Sequence, residues 1–137
     1  MKDSPVQADG SNSDAIKSAS RTISILMPTH NRADVLPMVF ASFRNLSLVE
    51  GWHIDMVVVA NACSDDTENV LREWLPELPF PARYVVEPVA GSSTARNRAI
   101  EESNGTIVLF VDDDVNVPST WLHGIIEVFD KTPADFV

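Results

Sequence analysis

The chain has 137 residues and a hydrophobic fraction of 45%, enough for one domain with a real core. A formal net charge of −10 excludes a nucleic-acid surface built from clustered Lys and Arg, and argues against binding to an anionic membrane through this segment. No apolar run approaches the roughly 20 residues of a membrane span, no apolar signal-peptide core opens the chain, and the lone Cys63 rules out an internal disulfide and fits a reducing, cytoplasmic setting.

In chain order, residues 1–21 are polar, with almost no large apolar side chain, and read as a disordered tail with at most a helical turn near Asp14–Ala19. Structure begins at Thr22. Ile23–Met27 predicts a first strand closed by Pro28, and Thr29–Arg32 a polar loop. Asp34 is placed to cap a helix in which Leu36, Val39, Phe40 and Phe43 recur at helical spacing, with Pro37 in its first turn. Ile54–Ala60 is a second, β-branched strand, followed by the loop Asn61–Asp66. Asp65 or Ser64 then caps a helix carrying Val70, Leu71, Trp74 and Leu75 on one face. After three prolines, Arg83–Val86 predicts a third strand, and Gly91-Ser92-Ser93 opens a helix that Asn104-Gly105 ends.

The stretch Thr106–Val111 is apolar on both alternating faces, which predicts a strand in the middle of a parallel sheet. It runs straight into Asp112, Asp113 and Asp114. Pro118 or Ser119 starts a last helix with Leu122, Ile125, Ile126 and Phe129 inward, and residues 134–137 look like a strand beginning. Strands alternating with single helices give an α/β fold: a Rossmann-like, mostly parallel sheet flanked by helices, joined by right-handed crossovers. A chain that stops on entering a strand reads as truncated, part of a longer protein.

In such a sheet every loop after a strand opens on one edge, where ligands of open α/β folds bind. Three adjacent carboxylates there repel one another, and a divalent cation is the simplest way to keep all three ionised. If the chain stays extended, Asp112 and Asp114 share a side while Asp113 faces away. That suits Mg²⁺ or Mn²⁺ completed by substrate phosphates. The Asn61 amide could meet the edge of a base, the helix start at Gly91 could take an anion, and Arg96 and Arg98 lie within reach. Together these describe a site for a nucleoside diphosphate.

Three stretches resemble the signatures of family 2 glycosyltransferases, which have the A-type (GT-A) fold: Ser24–Arg32, Val57–Thr67, and Gly91–Ile100 running on to Asp112-Asp113-Asp114. The resemblance implies a transferase moving a sugar from a nucleotide-diphosphate donor, UDP-sugar favoured, to a saccharide or lipid-linked acceptor hydroxyl, with inversion. It implies that Pro28, Thr29, Arg32, Asn61 and Arg96 border the nucleotide. Asp112-Asp113-Asp114 matches the DxD motif, with Asp113 near the ribose and Asp112 and Asp114 on the metal. Ala60 and Asn61 stand where the family often has aspartates, which leaves the base open. The family's general base lies beyond Val137, so residues 22–137 are expected to be a donor-binding half.

Rival readings meet specific obstacles. An aspartate-nucleophile phosphatase places its motif on the first strand and prefers Thr or Val where this chain has Asn116. A receiver domain needs an acidic pair after strand one, where Thr29–Arg32 stands. A nucleotide-binding fragment without catalysis is the remaining alternative. His30 reads as an exposed loop residue, Trp52, Trp74 and Trp121 as packing, and the Ser92 and Ser93 hydroxyls as helix caps.

Overall fold

A computed structural model describes residues 21–131, so the expected tail before Arg21, its helical turn and the strand expected at 134–137 lie outside the described residues. Four parallel strands form one sheet: β1 (Thr22–Thr29), β2 (His53–Asn61), β3 (Ala82–Glu87) and β4 (Ile107–Phe110), in the order β3-β2-β1-β4. The helices are α1 (Leu36–Arg44), α2 (Thr67–Trp74, continued by a 3-10 turn over Leu75–Glu77), α3 (Ser92–Glu102) and α4 (Trp121–Lys131).

The alternation of strand side chains divides the core into two layers. Ile23, Ile25 and Met27 of β1 join Ile54, Met56 and Val58 of β2 against Leu36, Val39, Phe40 and Phe43 of α1, Leu71 of α2, and Leu122 and Ile126 of α4. On the other face Leu26, Val57 and Val59, with the partly buried Val85 of β3 beside them, meet the small residues Ala95 and Ala99 of α3. The apolar positions expected to face inward in α1 are all buried. The tryptophans serve as packing: all three lie against the larger layer, and Trp121 meets Phe43 edge to face at 5.8 Å.

Four local expectations are corrected. Neither Asp65 nor Ser64 is the N-cap of α2; the N-cap is Asp66, with no side-chain cap, and Asp65 accepts the Thr67 amide from the turn before it. Asp34 does not cap α1; the N-cap is Val35, and the turn into the helix is made by the Arg32 carbonyl accepting the Val35 and Leu36 amides. No side chain caps α3, so Ser92 and Ser93 leave that role empty. Among the described residues β4 is an edge strand, paired to β1 alone. Val108 and Phe110 are 40% and 43% exposed. Its apolar composition predicted burial on both faces, but α3 packs on β1 and β2, leaving the α3 side of β4 uncovered.

What fixes the start of β4 is a close approach. Gly105 donates its N–H to Ser24 Oγ at 2.9 Å, and a Cβ at Gly105 would lie 2.7 Å from both the Ser24 amide nitrogen and that hydroxyl. Only glycine lets the chain pass β1 so tightly and then fall into the Ile23–Ile107 register.

Candidate nucleotide-binding site

The sheet parts at its carboxyl edge. β1 pairs with β2 as far as Thr29–Ala60, but with β4 only to Leu26–Phe110, the last bond running from the Val111 amide to the Leu26 carbonyl. Pro28 shares Leu26's parity, so its backbone faces the β4 side beyond that last bond, where a missing N–H costs nothing. This is also where the connections change direction: α1 leads from β1 to one neighbour, while α3 brings the chain to the other. Open α/β sheets bind ligands at such a switch point.

Two cavities share this crevice. The larger, about 560 Å³, is lined by Pro28, Thr29, Arg32, Asn61 and Asp113 among others. The smaller, about 180 Å³, shares Pro28, Ser92 and Asp113 with it and adds Arg96 and Asp112. Seven of the residues singled out in the sequence therefore converge here. Asp114 is exposed at the adjoining turn and lines neither cavity. A further cavity of about 430 Å³, holding an unpartnered Asp55 Oδ1, opens by the amino ends of β1 and β2, away from the carboxyl edge.

The three aspartates play different parts. Asp113 is half-buried: its Oδ2 accepts the Thr29 hydroxyl at 2.8 Å and lies 3.5 Å from Arg32 Nε. The Arg32 side chain is 43% exposed, so that ion pair orients more than it stabilises. Asp112 and Asp114 are exposed, and no hydrogen bond or ion pair within the described residues reaches either. The extended-strand alternation expected for the triplet does not apply, because the chain turns at Asp113 and Asp114.

Across the crevice stands the amino end of α3. Its N-cap, Gly91, sits at φ +142°, no side chain caps the helix, and its first residue, Ser92, lines both cavities. Unpaired amides and the helix dipole favour an anion at that end. Arg96 lies 6.0 Å over the Phe110 ring, on the crevice side. Arg98 turns away from it, to Glu87 and Glu102, and those two hydrogen bonds, Glu102 first, raise its pKa.

Asn61 lines the larger cavity but is only 6% exposed. Its amide nitrogen donates to the carbonyls of Glu87 (3.0 Å) and Val89 (2.8 Å), and its Oδ1 accepts the Gly91 N–H (3.1 Å). The NH2 group expected to meet a base edge is therefore not free: both its donors are committed to the end of β3 and the loop after it, and only one lone pair of Oδ1 is left over.

Residue-type reasoning missed a polar knot joining the loops after β1 and β2. Asn31, at φ +50°, accepts the Ser64 and Asp65 amides at 2.8 and 3.2 Å. Asp65 accepts the Thr67 amide at 3.0 Å, the Thr67 hydroxyl, and the Ala33 amide at 3.2 Å, while Thr67 Oγ1 accepts the Arg32 amide at 3.0 Å. The Thr67 hydroxyl is the main reason the Asp65 carboxyl is held below the usual range; burial opposes the shift, and the amides of Thr67, Ala33 and Asp65 itself reinforce it. The Asp65-x-Thr67 spacing is an Asx-turn pattern that could have flagged this. His30, an exposed residue as expected, is fixed by Nδ1 to the Asn61 carbonyl at 2.7 Å.

Among the described residues no three His, Cys, Asp or Glu side chains come together as a complete metal cage. Two exposed carboxylates beside an anion-binding helix end fit a different arrangement: a hard cation held by one or two carboxylates and completed by phosphate oxygens.

The model of the family described as Glycosyl transferase family 2 matches residues 24–137. Among relatives, the succinoglycan biosynthesis protein ExoM of Rhizobium meliloti is 37% identical over 79 residues, covering 57% of this chain and 26% of its own. The crystal structure of residues 1–349 of Staphylococcus aureus TarS in complex with UDP-GlcNAc superposes with a TM-score of 0.68 at 22% identity, over 80% of this chain and 31% of that one. The mannosyltransferase PcManGT of Pyrobaculum calidifontis, in complex with GDP-Man and Mn²⁺, gives 0.67 at 24% identity, over 77% and 31%. These likenesses show the GT-A fold. The chain spans 13% to 38% of the lengths of the curated relatives it matches. With the family matched over residues 24–137 and the sheet, switch point and aspartate turn in place, the chain belongs to glycosyl transferase family 2.

Proposed function

We propose that residues 22–137 form the donor-binding half of a metal-dependent glycosyltransferase that takes its sugar from a nucleoside diphosphate. One observation carries this reading: the uncapped start of α3 and the carboxylates of Asp112 and Asp113 line the same small cavity. The helix end attracts a diphosphate, the carboxylates repel it, and a divalent cation between them reconciles the two. Asp114 and Asp112 would hold Mn²⁺ or Mg²⁺, which when bound supplies positive charge to the leaving diphosphate.

The chain's own groups do the rest. The α3 amides and Arg96 neutralise phosphate oxygens, while Thr29 and Arg32 hold Asp113 toward the ribose. Pro28 and the larger cavity take the nucleoside. The reaction would be an inverting attack by an acceptor hydroxyl, for which no residue of 22–137 is assigned as the base. UDP-sugar is the first donor to test, since TarS is seen with UDP-GlcNAc, and GDP is the second, since PcManGT is seen with GDP-Man. No helix of the described residues is long and apolar enough to cross a membrane. A cytoplasmic setting is part of this proposal.

Calorimetric titration of UDP into the chain with Mn²⁺, then with EDTA, tests it. Binding is expected with Mn²⁺, and is expected to fall at least about tenfold with EDTA or in Asp114→Ala, the loss of one charge-assisted contact or more. Binding by the folded chain that ignores both metal and Asp114 would overturn the metal assignment. Failure with UDP and success with GDP would reassign the base.

A further inference from the structure

We propose that Asn61 is a positioning residue: its carboxamide holds the β3–α3 loop, and so aims the amino end of α3 at the diphosphate, with no N–H left to donate to a base. The inference rests on the donor-site reading above. A carboxamide has two N–H donors and a carbonyl oxygen with two lone pairs. Both donors are taken by the Glu87 and Val89 carbonyls, and the acceptor already receives the Gly91 amide, within a residue 6% exposed. Nothing remains with which to donate to a base carbonyl.

The three bonds run up to and include a residue whose backbone needs holding. Gly91, at φ +142°, occupies a conformation closed to other residues, and it is the N-cap of α3. Asn61 grips the chain on the near side through Glu87 and Val89 and at Gly91 itself. A second tether runs in parallel: Glu87 Oε2 accepts the Val89 amide at 3.0 Å, with Arg98 3.3 Å from Oε1. The Asn61 backbone carbonyl meanwhile accepts His30 Nδ1–H, and the Ala62 amide donates to the Glu87 carbonyl at 2.9 Å. One residue at the end of β2 thus joins the loop after β1 to the loop after β3, the two walls of the larger cavity.

The full chain is compared as wild type, Asn61→Ala and Asn61→Asp, the last keeping shape and an acceptor but losing both donors. Without ligand, amide exchange at Gly91 is expected to be slow in wild type and at least about tenfold faster in Asn61→Ala, the equivalent of one lost hydrogen bond. With Mn²⁺ present, UDP and inorganic pyrophosphate are each expected to bind about tenfold more weakly to both variants, and by the same factor. Lowering the pH protonates the introduced carboxyl of Asn61→Asp and restores one donor, so its pyrophosphate affinity should recover relative to wild type at the same pH. Loss for UDP with none for pyrophosphate would show a base-reading residue and overturn the proposal, as would unchanged Gly91 exchange. Wild type that binds neither probe would sink the donor site, while exchange in the free chain still decides the clamp.

Discussion

Two acidic loops stand on the same edge of this sheet and have opposite fates. In the loop after β2, Asp65 is fully used by the chain: it accepts the Thr67 amide and hydroxyl and the Ala33 amide, locking that loop to the one after β1. In the turn after β4, Asp113 is held by Thr29 and Arg32, but Asp112 and Asp114 have no partner among the described residues. A carboxylate surrounded by the protein's own N–H and O–H groups builds the fold. One left facing solvent beside a helix amino end is available to a ligand. Charge alone does not separate the two; the supply of local donors does.

The comparison is tested most severely at Gly105. Its replacement by Ala pushes a methyl group into the Ser24 backbone, shifting β4 and the aspartates with it. A loss of about 3 kcal/mol is expected from overpacking against backbone that cannot yield, read as a lower denaturation midpoint at unchanged slope. A wild-type midpoint would mean that β4 enters by another route.

Asp65→Ala is expected to cost about 1 kcal/mol, as loss of hydrogen bonds to an exposed loop carboxylate does, and to weaken nucleotide binding only through the looser loop. Asp112→Ala should leave the thermal midpoint unchanged, or raise it slightly as carboxylate repulsion falls, while reducing Mn²⁺-dependent UDP binding about tenfold. If the two variants exchange these profiles, the assignment of building and binding roles is wrong.

The contrast also has a pH signature. Because its folded-state pKa is depressed, Asp65 contributes its full stabilisation above its unperturbed value of 3.8 and loses it as the pH falls through the folded value. Acid titration of stability should therefore be shallower below pH 3.8 in Asp65→Asn than in wild type. The smallest effect is expected at Ala62, a non-glycine residue at φ +51° in the same loop. Ala62→Gly relieves left-handed strain of about 1–2 kcal/mol and gives back part of it as unfolded-chain entropy, a net gain of about 0.5 kcal/mol. A loss there would show that the alanine methyl group packs usefully.

Period and punctuation made most of the fold legible. The apolar spacing of Leu36, Val39, Phe40 and Phe43 marked α1, and the β-branched run of β2 marked a buried strand; both lie where they were expected. The placement of β4 was not legible, because an apolar strand records which partners it can take and not which ones cover it. Asn61 was misread for a related reason. An amide beside a cleft looks available until the carbonyls of Glu87 and Val89, 26 and 28 residues away in sequence, are seen to fill its donors.

The sequence by itself determined the α/β alternation, the family, the edge of the sheet that gathers the candidate site residues, and the aspartate triplet that marks it. Each of these is written in neighbouring residues through periodicity and motif spacing. Only the tertiary structure decided which polar groups are spent and which are free: Asp65 and Asn61 on the fold, Asp112 and Asp114 facing solvent. A hydrogen bond between distant loops depends on how the crossovers bring β1, β2, β3 and α3 together, and no local pattern encodes that meeting.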